Sequence, residues 1–104
     1  TSAKPMEIKE LTQAMDQFVD QKGWYAANSP RPQTLRNTAI SLSLEAAEVL
    51  EHFQWQETPA DRETLAAELA DVALYLLQLA RLAEIDLEQA VLNKLAENRT
   101  RTWD

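Results

Sequence analysis

The stretch that opens with Thr58-Pro59-Ala60-Asp61 and continues to about Glu84 is apolar around much of a helical circumference, through Leu65, Leu69, Val72, Leu74, Leu76, Leu77 and Leu79. A helix of that kind must be buried on several sides. A chain of 104 residues has room for one domain, expected to span 1–104, and the rest of such a chain cannot easily cover that helix. The expectation is therefore an all-α fold, a four-helix bundle completed by dimerisation or tetramerisation.

The other helices follow from spacing and end signals. Ile8, Leu11, Met15, Phe18 and Val19 predict a first helix over 6–22, with Gly23 as its stop. Residues 24–33, "WYAANSPRPQ", hold two prolines among small polar residues and read as an irregular connection long enough to act as a lid. Leu35, Leu42, Val49 and Phe53 predict a second helix from about Thr34 to Trp55. Thr58 as N-cap, Pro59 at the first helical position and Asp61 in the first turn would start the third. Asp86 would cap a fourth, with Gln89 in the capping-box position and an end near Asn98. The tail "RTRTWD" is basic, then aromatic, and has no assigned place.

Composition removes several function classes. The absence of cysteine excludes a disulfide framework, a thiolate nucleophile and cysteine-ligated zinc. A formal charge of −7 argues against binding a nucleic-acid backbone, which needs a basic footprint. No run of about 18 apolar residues and no signal-peptide pattern stands out, so no membrane association and a soluble, cytoplasmic protein are expected.

Against this background, four acids stand out. Glu45 and Glu48 form an ExxE pair on the second helix, and Glu68 and Asp71 an ExxD pair on the third. Residues three apart share a helix face, and the surroundings, "SLSLEAAEVL" and "ELADVALYLLQLA", would ordinarily keep charge out. At an effective dielectric near 20, two carboxylates about 4 Å apart repel by roughly 4 kcal/mol. Hard cations such as Mg2+, which prefer oxygen ligands, turn that repulsion into coordination. A short connection between Trp55 and Pro59 would make the two helices antiparallel. The pair midpoints would then lie about 13 Å from the end of one helix and about 16 Å into the next, nearly level. Taken singly, ExxE and ExxD read as solvated faces. Together, at matched heights and with no Lys or Arg placed four residues on, they predict a metal site.

Trp55 and Tyr75 flank the acids along the same helices, and an aromatic face beside a metal cluster can stack a nucleobase; otherwise they are core or interface residues. His52, on the same stripe, reads as a helix-surface residue rather than a ligand. Lys94, Asn98, Arg99 and Arg101 form a basic cluster that suits a helix C-terminus and could equally hold phosphate.

"LRNTAISLSLEAAEVLEHFQW" and "ELADVALYLLQLARLAEIDLEQAVLNKLAENRTR" together resemble the MazG-like all-α nucleoside triphosphate pyrophosphohydrolases, and within them the small dCTP pyrophosphatase branch. The likeness covers most of residues 34–101, with a weaker match through Phe18 and Trp24. It implies Mg2+ ligation by Glu45, Glu48, Glu68 and Asp71, with two or more ions per site and Mn2+ as a substitute. It also sets Trp24 and Trp55 around the base, and Tyr75, Lys94 and Asn98 near sugar and phosphates. Two departures accompany it. Leu44 occupies the first place of the doubled acid that begins the broader motif, as an apolar or small residue does in the dCTP branch. The loop "AANSPRPQT" is longer than expected and lacks the His that this branch carries before its Pro-Arg-Asn.

The implied reaction is hydrolysis of a nucleoside triphosphate, a deoxynucleotide with dCTP-like preference, to monophosphate and pyrophosphate, as part of clearing unwanted nucleotides. Glu45 or Glu48 would accept the proton of the attacking water, and Lys94 and Arg99 would neutralise phosphate charge. The rivals are a dUTP or phosphoribosyl-ATP pyrophosphohydrolase of the same architecture, and a non-catalytic helical assembly module.

Overall fold

The computed structural model describes residues 7–59 and 61–102. Four helices succeed one another: α1 (Ile8–Gln21), α2 (Leu35–Glu51), α3 (Arg62–Leu82) and α4 (Leu87–Thr100). There is no strand among the described residues. Met6, Ala60, Trp103 and Asp104, which the sequence reading assigned to a helix start, a cap signal and the tail, lie outside them.

The chain is organised around α3. It packs along α2 in the most extensive helix contact, and touches α1 and α4 on its other sides; among the described residues α2 packs on α3 alone. Met15 and Val19 of α1 are buried with Leu77 of α3, and Ile8, Trp24, Tyr25 and Leu87 close over them. That core is small. Leu44 and Leu50 on α2, Leu69 and Leu76 on α3, and Leu92 and Leu95 on α4 all remain exposed. The accessible surface is 8487 Å2, against about 5900 Å2 expected for a compact monomer of this mass.

Two helix ends share one backbone solution. After α1, Gly23 stands at φ 73, its N–H bonds Asp20 O at 2.9 Å and that of Trp24 bonds Val19 O at 3.2 Å. This pairing is a Schellman closure. It also turns Trp24 back onto Phe18, the rings meeting edge to face at 5.7 Å. After α3 the same pattern recurs, Glu84 N–H to Arg81 O at 3.1 Å and Ile85 N–H to Ala80 O at 2.8 Å, but a glutamate sits at φ 57.

Three sequence expectations are corrected. The second helix stops at Glu51, not Trp55: the N–H groups of His52 and Phe53 bond back three residues to Val49 and Leu50, a tightened last turn that ends the helix. The connection is correspondingly longer, 52–61. Asp61, not Thr58, caps α3, accepting from Glu63 N–H at 3.0 Å and from the Thr64 hydroxyl. These bonds hold its carboxyl below the usual range, that from Thr64 first. A carboxylate offers two acceptor oxygens to the free N–H groups of a first turn, and Thr58 has no such reach from three residues upstream. Finally, Asp86 does cap α4, but the Gln89 side chain donates to Asn93 at 2.8 Å instead of returning to the cap.

The two closures predict opposite responses. Nothing lies within 4 Å of a Cβ built on Gly23, so Gly23→Ala should cost only the left-handed strain, about 1 kcal/mol, while Glu84→Gly should stabilise by up to about 1 kcal/mol. Urea unfolding with an unchanged m-value checks both; a like-signed pair of shifts would contradict the backbone account.

Candidate active site

The α2–α3 contact is a polar seam inside apolar helices. Thr38, Ser41, Glu45, Glu48 and His52 recur on α2 at alternating steps of three and four, and Glu68, Asp71, Tyr75 and Gln78 do so on α3. Such steps keep side chains on one face. The stripes meet antiparallel, as the sequence predicted: His52 Nε2 lies 2.7 Å from Glu68 Oε2 at one end, and Thr38 and Ser41 share a cavity wall with Tyr75 and Gln78 at the other. With the observed helix ends, the acidic pairs stand about 7 Å from the end of α2 and about 11 Å into α3, level within one turn.

Glu45 is the electrostatic centre. Burial raises its carboxyl above the ordinary value, as do a hydrogen bond with Glu48 and the negative charges of Glu48, Asp71 and Glu68. One of its oxygens, Oε2, is buried and receives no hydrogen bond among the described residues. An orphaned carboxylate oxygen facing three further acids suits a hard divalent cation, whose preferred ligands are oxygens. The acids converge without three of them closing around one point among the described residues.

Cavities open on both sides of the acids. The larger, about 870 Å3, lies among α1, α2 and α3, has Asp71 at its edge, and is roofed by Pro30, Arg31, Pro32 and Gln33 of the connection after α1. Its volume falls in the range of small-molecule sites. Trp24 and Tyr75 line it, and the Arg31 guanidinium lies 5.6 Å over the Trp24 ring. The smaller, about 320 Å3, is bounded by Glu48, Glu51, His52, Trp55, Gln56 and Glu68. Trp55 is 91% exposed there, beside the acids but no longer on their helix.

The roof is tied down on one side. Tyr25 donates its hydroxyl to Asp16 Oδ1 at 2.7 Å, and Arg81 bonds the other oxygen of Asp16 at 2.8 Å while lying 5.9 Å over the Tyr25 ring. Burial, then the Asp16 bond, pushes the Tyr25 hydroxyl well above its usual range. α1, α3 and the start of the connection are thereby pinned together.

Of the sequence candidates, Glu45, Glu48, Glu68 and Asp71 come together, with Trp24 and Tyr75 on one side and Trp55 on the other. The helix-four group is not brought to them in the single chain. Lys94 pairs with Glu97 at 3.3 Å, Asn98 is half-buried, Arg99 is exposed, and none of the three lines either cavity. Sequence reading missed three things. His52 is not a bare surface residue but a largely buried partner of Glu68; Thr38 and Gln78 are the buried polar residues among those described, at 2% and 3% exposure. The signal was present in the three-four steps that carry each acidic pair onward to these residues.

The cluster predicts an unusual pH response. Because the folded state raises the Glu45 carboxyl above its unfolded value, its charge opposes folding at neutral pH, and the opposition fades as pH falls toward the raised value. In buffer free of divalent cations, wild-type melting temperature should gain from this group between neutral and mildly acid pH. Glu45→Gln should be more stable at neutral pH and lack that gain; a less stable variant would contradict the repulsion.

Comparison with known proteins gives the relatives of this arrangement. The MazG-like family profile matches residues 40–103. A dCTP pyrophosphatase 1 of Mus musculus is 31% identical over 103 residues, spanning 90% of this chain; the chain covers 58% of that relative's length. A dATP/dGTP diphosphohydrolase of Salmonella phage PMBT28 is 55% identical over 38 residues, 36% of this chain and 13% of the phage protein. Among solved structures, a pyrophosphatase from Archaeoglobus fulgidus superposes with a TM-score of 0.71 at 34% identity, over 94% of both chains. Helices, acidic seam and relatives agree: the chain belongs to the MazG-like family.

Proposed function

We propose that this protein hydrolyses a nucleoside triphosphate to the monophosphate and pyrophosphate, with a deoxynucleotide of dCTP-like preference as substrate. The observation that carries the reading is the buried, unpartnered Glu45 oxygen amid three other acids, beside a cavity of about 870 Å3. The names of the relatives, a dCTP pyrophosphatase and a dATP/dGTP diphosphohydrolase, support the same reaction class. A non-catalytic assembly module has no use for such a combination.

Glu45, Glu48, Glu68 and Asp71 would hold Mg2+, drawn together by side-chain rotation. When bound, Mg2+ supplies neutralisation of the phosphate charge and of the leaving pyrophosphate. The base enters the apolar cavity against Trp24, which the Gly23 closure and Arg31 hold in place. Tyr75, on the wall between that cavity and Asp71, stands at sugar level. A water oxygen attacks the α-phosphorus, its proton passes to Glu45 or Glu48, and the bond from the α-phosphorus to the bridging oxygen breaks. His52 holds Glu68 and fixes its orientation. The half-open fold has a further implication: a second subunit covers the exposed leucines of α2 and α3, giving a homodimer or homotetramer. Lys94, Asn98 and Arg99, which line neither cavity within one chain, would then be supplied to phosphate as the assembly or a closing substrate brings them in.

Among the described residues no helix is long and apolar enough to cross a membrane, and a cytoplasmic location remains part of this proposal. Incubation with dNTPs should give Mg2+-dependent pyrophosphate and monophosphate. Glu48→Ala and Asp71→Ala should lower kcat by at least about a hundredfold with helicity intact; orthophosphate as product, or undiminished variants, would contradict the reading. Light scattering should return a mass at least twice 11.8 kDa; a monomer at micromolar concentration would remove the second subunit from the account.

A further inference from the structure

We infer that Gln78, oriented by Gln33, selects bases carrying an exocyclic amino group over their oxo counterparts; this rests on the nucleotide-binding reading of the large cavity. Amide polarity sets the arrangement. Arg31 offers a backbone carbonyl that can only accept, and the Gln33 side-chain nitrogen donates to it at 2.7 Å. Gln33 must therefore turn its carbonyl oxygen the other way, where it accepts from Gln78 Nε2 at 2.6 Å. That bond fixes Gln78 in turn. Its nitrogen is held at Gln33, so its carbonyl oxygen is turned away from that bond.

Both amides line the same apolar cavity as Trp24 and Tyr75, and Gln78 is 3% exposed. A carbonyl oxygen turned away from the Gln33 bond, on a side chain that lines the cavity, offers an incoming ligand a fixed acceptor. Thr38 adds a second, independent sign of a ligand. Its hydroxyl is buried on that cavity and has no hydrogen-bond partner among the described residues, although a helical threonine can ordinarily bond the carbonyl four residues back.

A base entering the cavity therefore meets a fixed acceptor. Cytosine and adenine present an exocyclic amino donor beside a ring-nitrogen acceptor. That amino group matches the Gln78 oxygen. Uracil and hypoxanthine place a carbonyl oxygen where the amino group would be, so two acceptors face each other. Gln78 is the reading residue. Gln33 is a positioning residue, acting through the amide whose polarity it sets.

The test compares kcat/KM for dCTP against dUTP and for dATP against dITP, in wild type and in Gln78→Leu, Gln33→Leu and Gln33→Glu. Wild type should favour the amino member of each pair by about tenfold or more. Gln78→Leu and Gln33→Leu should bring the ratios near one, whereas Gln33→Glu, whose carboxylate still accepts from Gln78, should keep the preference. A wild-type ratio near one, or a ratio unchanged in both leucine variants, overturns the inference. Circular dichroism verifies folding, and Gln33, half-exposed on the roof, keeps the test alive if Gln78→Leu does not fold. Tryptophan fluorescence titration with dCMP and dUMP repeats the comparison without turnover. Preferential dCMP binding by an inactive protein would reject the reaction and keep the base assignment, and equal binding would reject the assignment.

Discussion

The structure turns on a repulsion. α2 and α3 pack along each other through a seam in which Glu45 faces Glu48, Glu68 and Asp71, and one Glu45 oxygen has neither water access nor a hydrogen bond among the described residues. Hydrophobic burial on the flanks of α3 has to hold these helices together against that charge. His52 closes on Glu68 at 2.7 Å and holds that acid by a hydrogen bond. A fold that keeps such a cluster carries a local penalty, which protonation of Glu45 eases and an arriving cation would remove, and this is why the acids, more than the cavities, define the site.

The rest of the chain serves that seam. Because among the described residues α2 packs on α3 alone, α1 stands off from it and a cavity opens between them. The connection after α1 roofs this space, and its course is set by small local devices: the Gly23 closure that turns Trp24 inward, the Tyr25–Asp16–Arg81 group that pins its start, and the Gln33–Gln78 bond that ties its end to α3. The roof is anchored at both margins. Its middle, with Pro30 and Pro32, spans the opening.

Much of this was legible in the sequence because helical periodicity is local. The four helices, the Gly23 stop, the Thr34 and Asp86 neighbourhoods and the two acidic pairs all follow from spacings of a few residues. What eluded the reading depended on contacts across the hairpin. His52 looked like a surface residue because its partner, Glu68, lies sixteen positions away. Trp55 was placed on a helix that ends four residues earlier, where no glycine or proline marks the end. Gln78 was submerged in "YLLQLA", since a single polar residue in an apolar run reads as noise until its register with Asp71 and Tyr75 is followed. The helix-four cations illustrate a different limit: spacing groups Lys94, Asn98 and Arg99 with one another, but one chain does not bring them to the acids.

The central claim is that the four-acid seam exists to hold divalent cations, and equilibrium binding of Mn2+ measured by electron paramagnetic resonance tests it most directly. The account predicts Mn2+ bound to the wild-type protein, displaced by Mg2+, and lost when Glu45 is replaced by Gln although the helices remain folded. Mn2+ binding that survives Glu45→Gln, or a wild-type protein that leaves all the Mn2+ free, would contradict it.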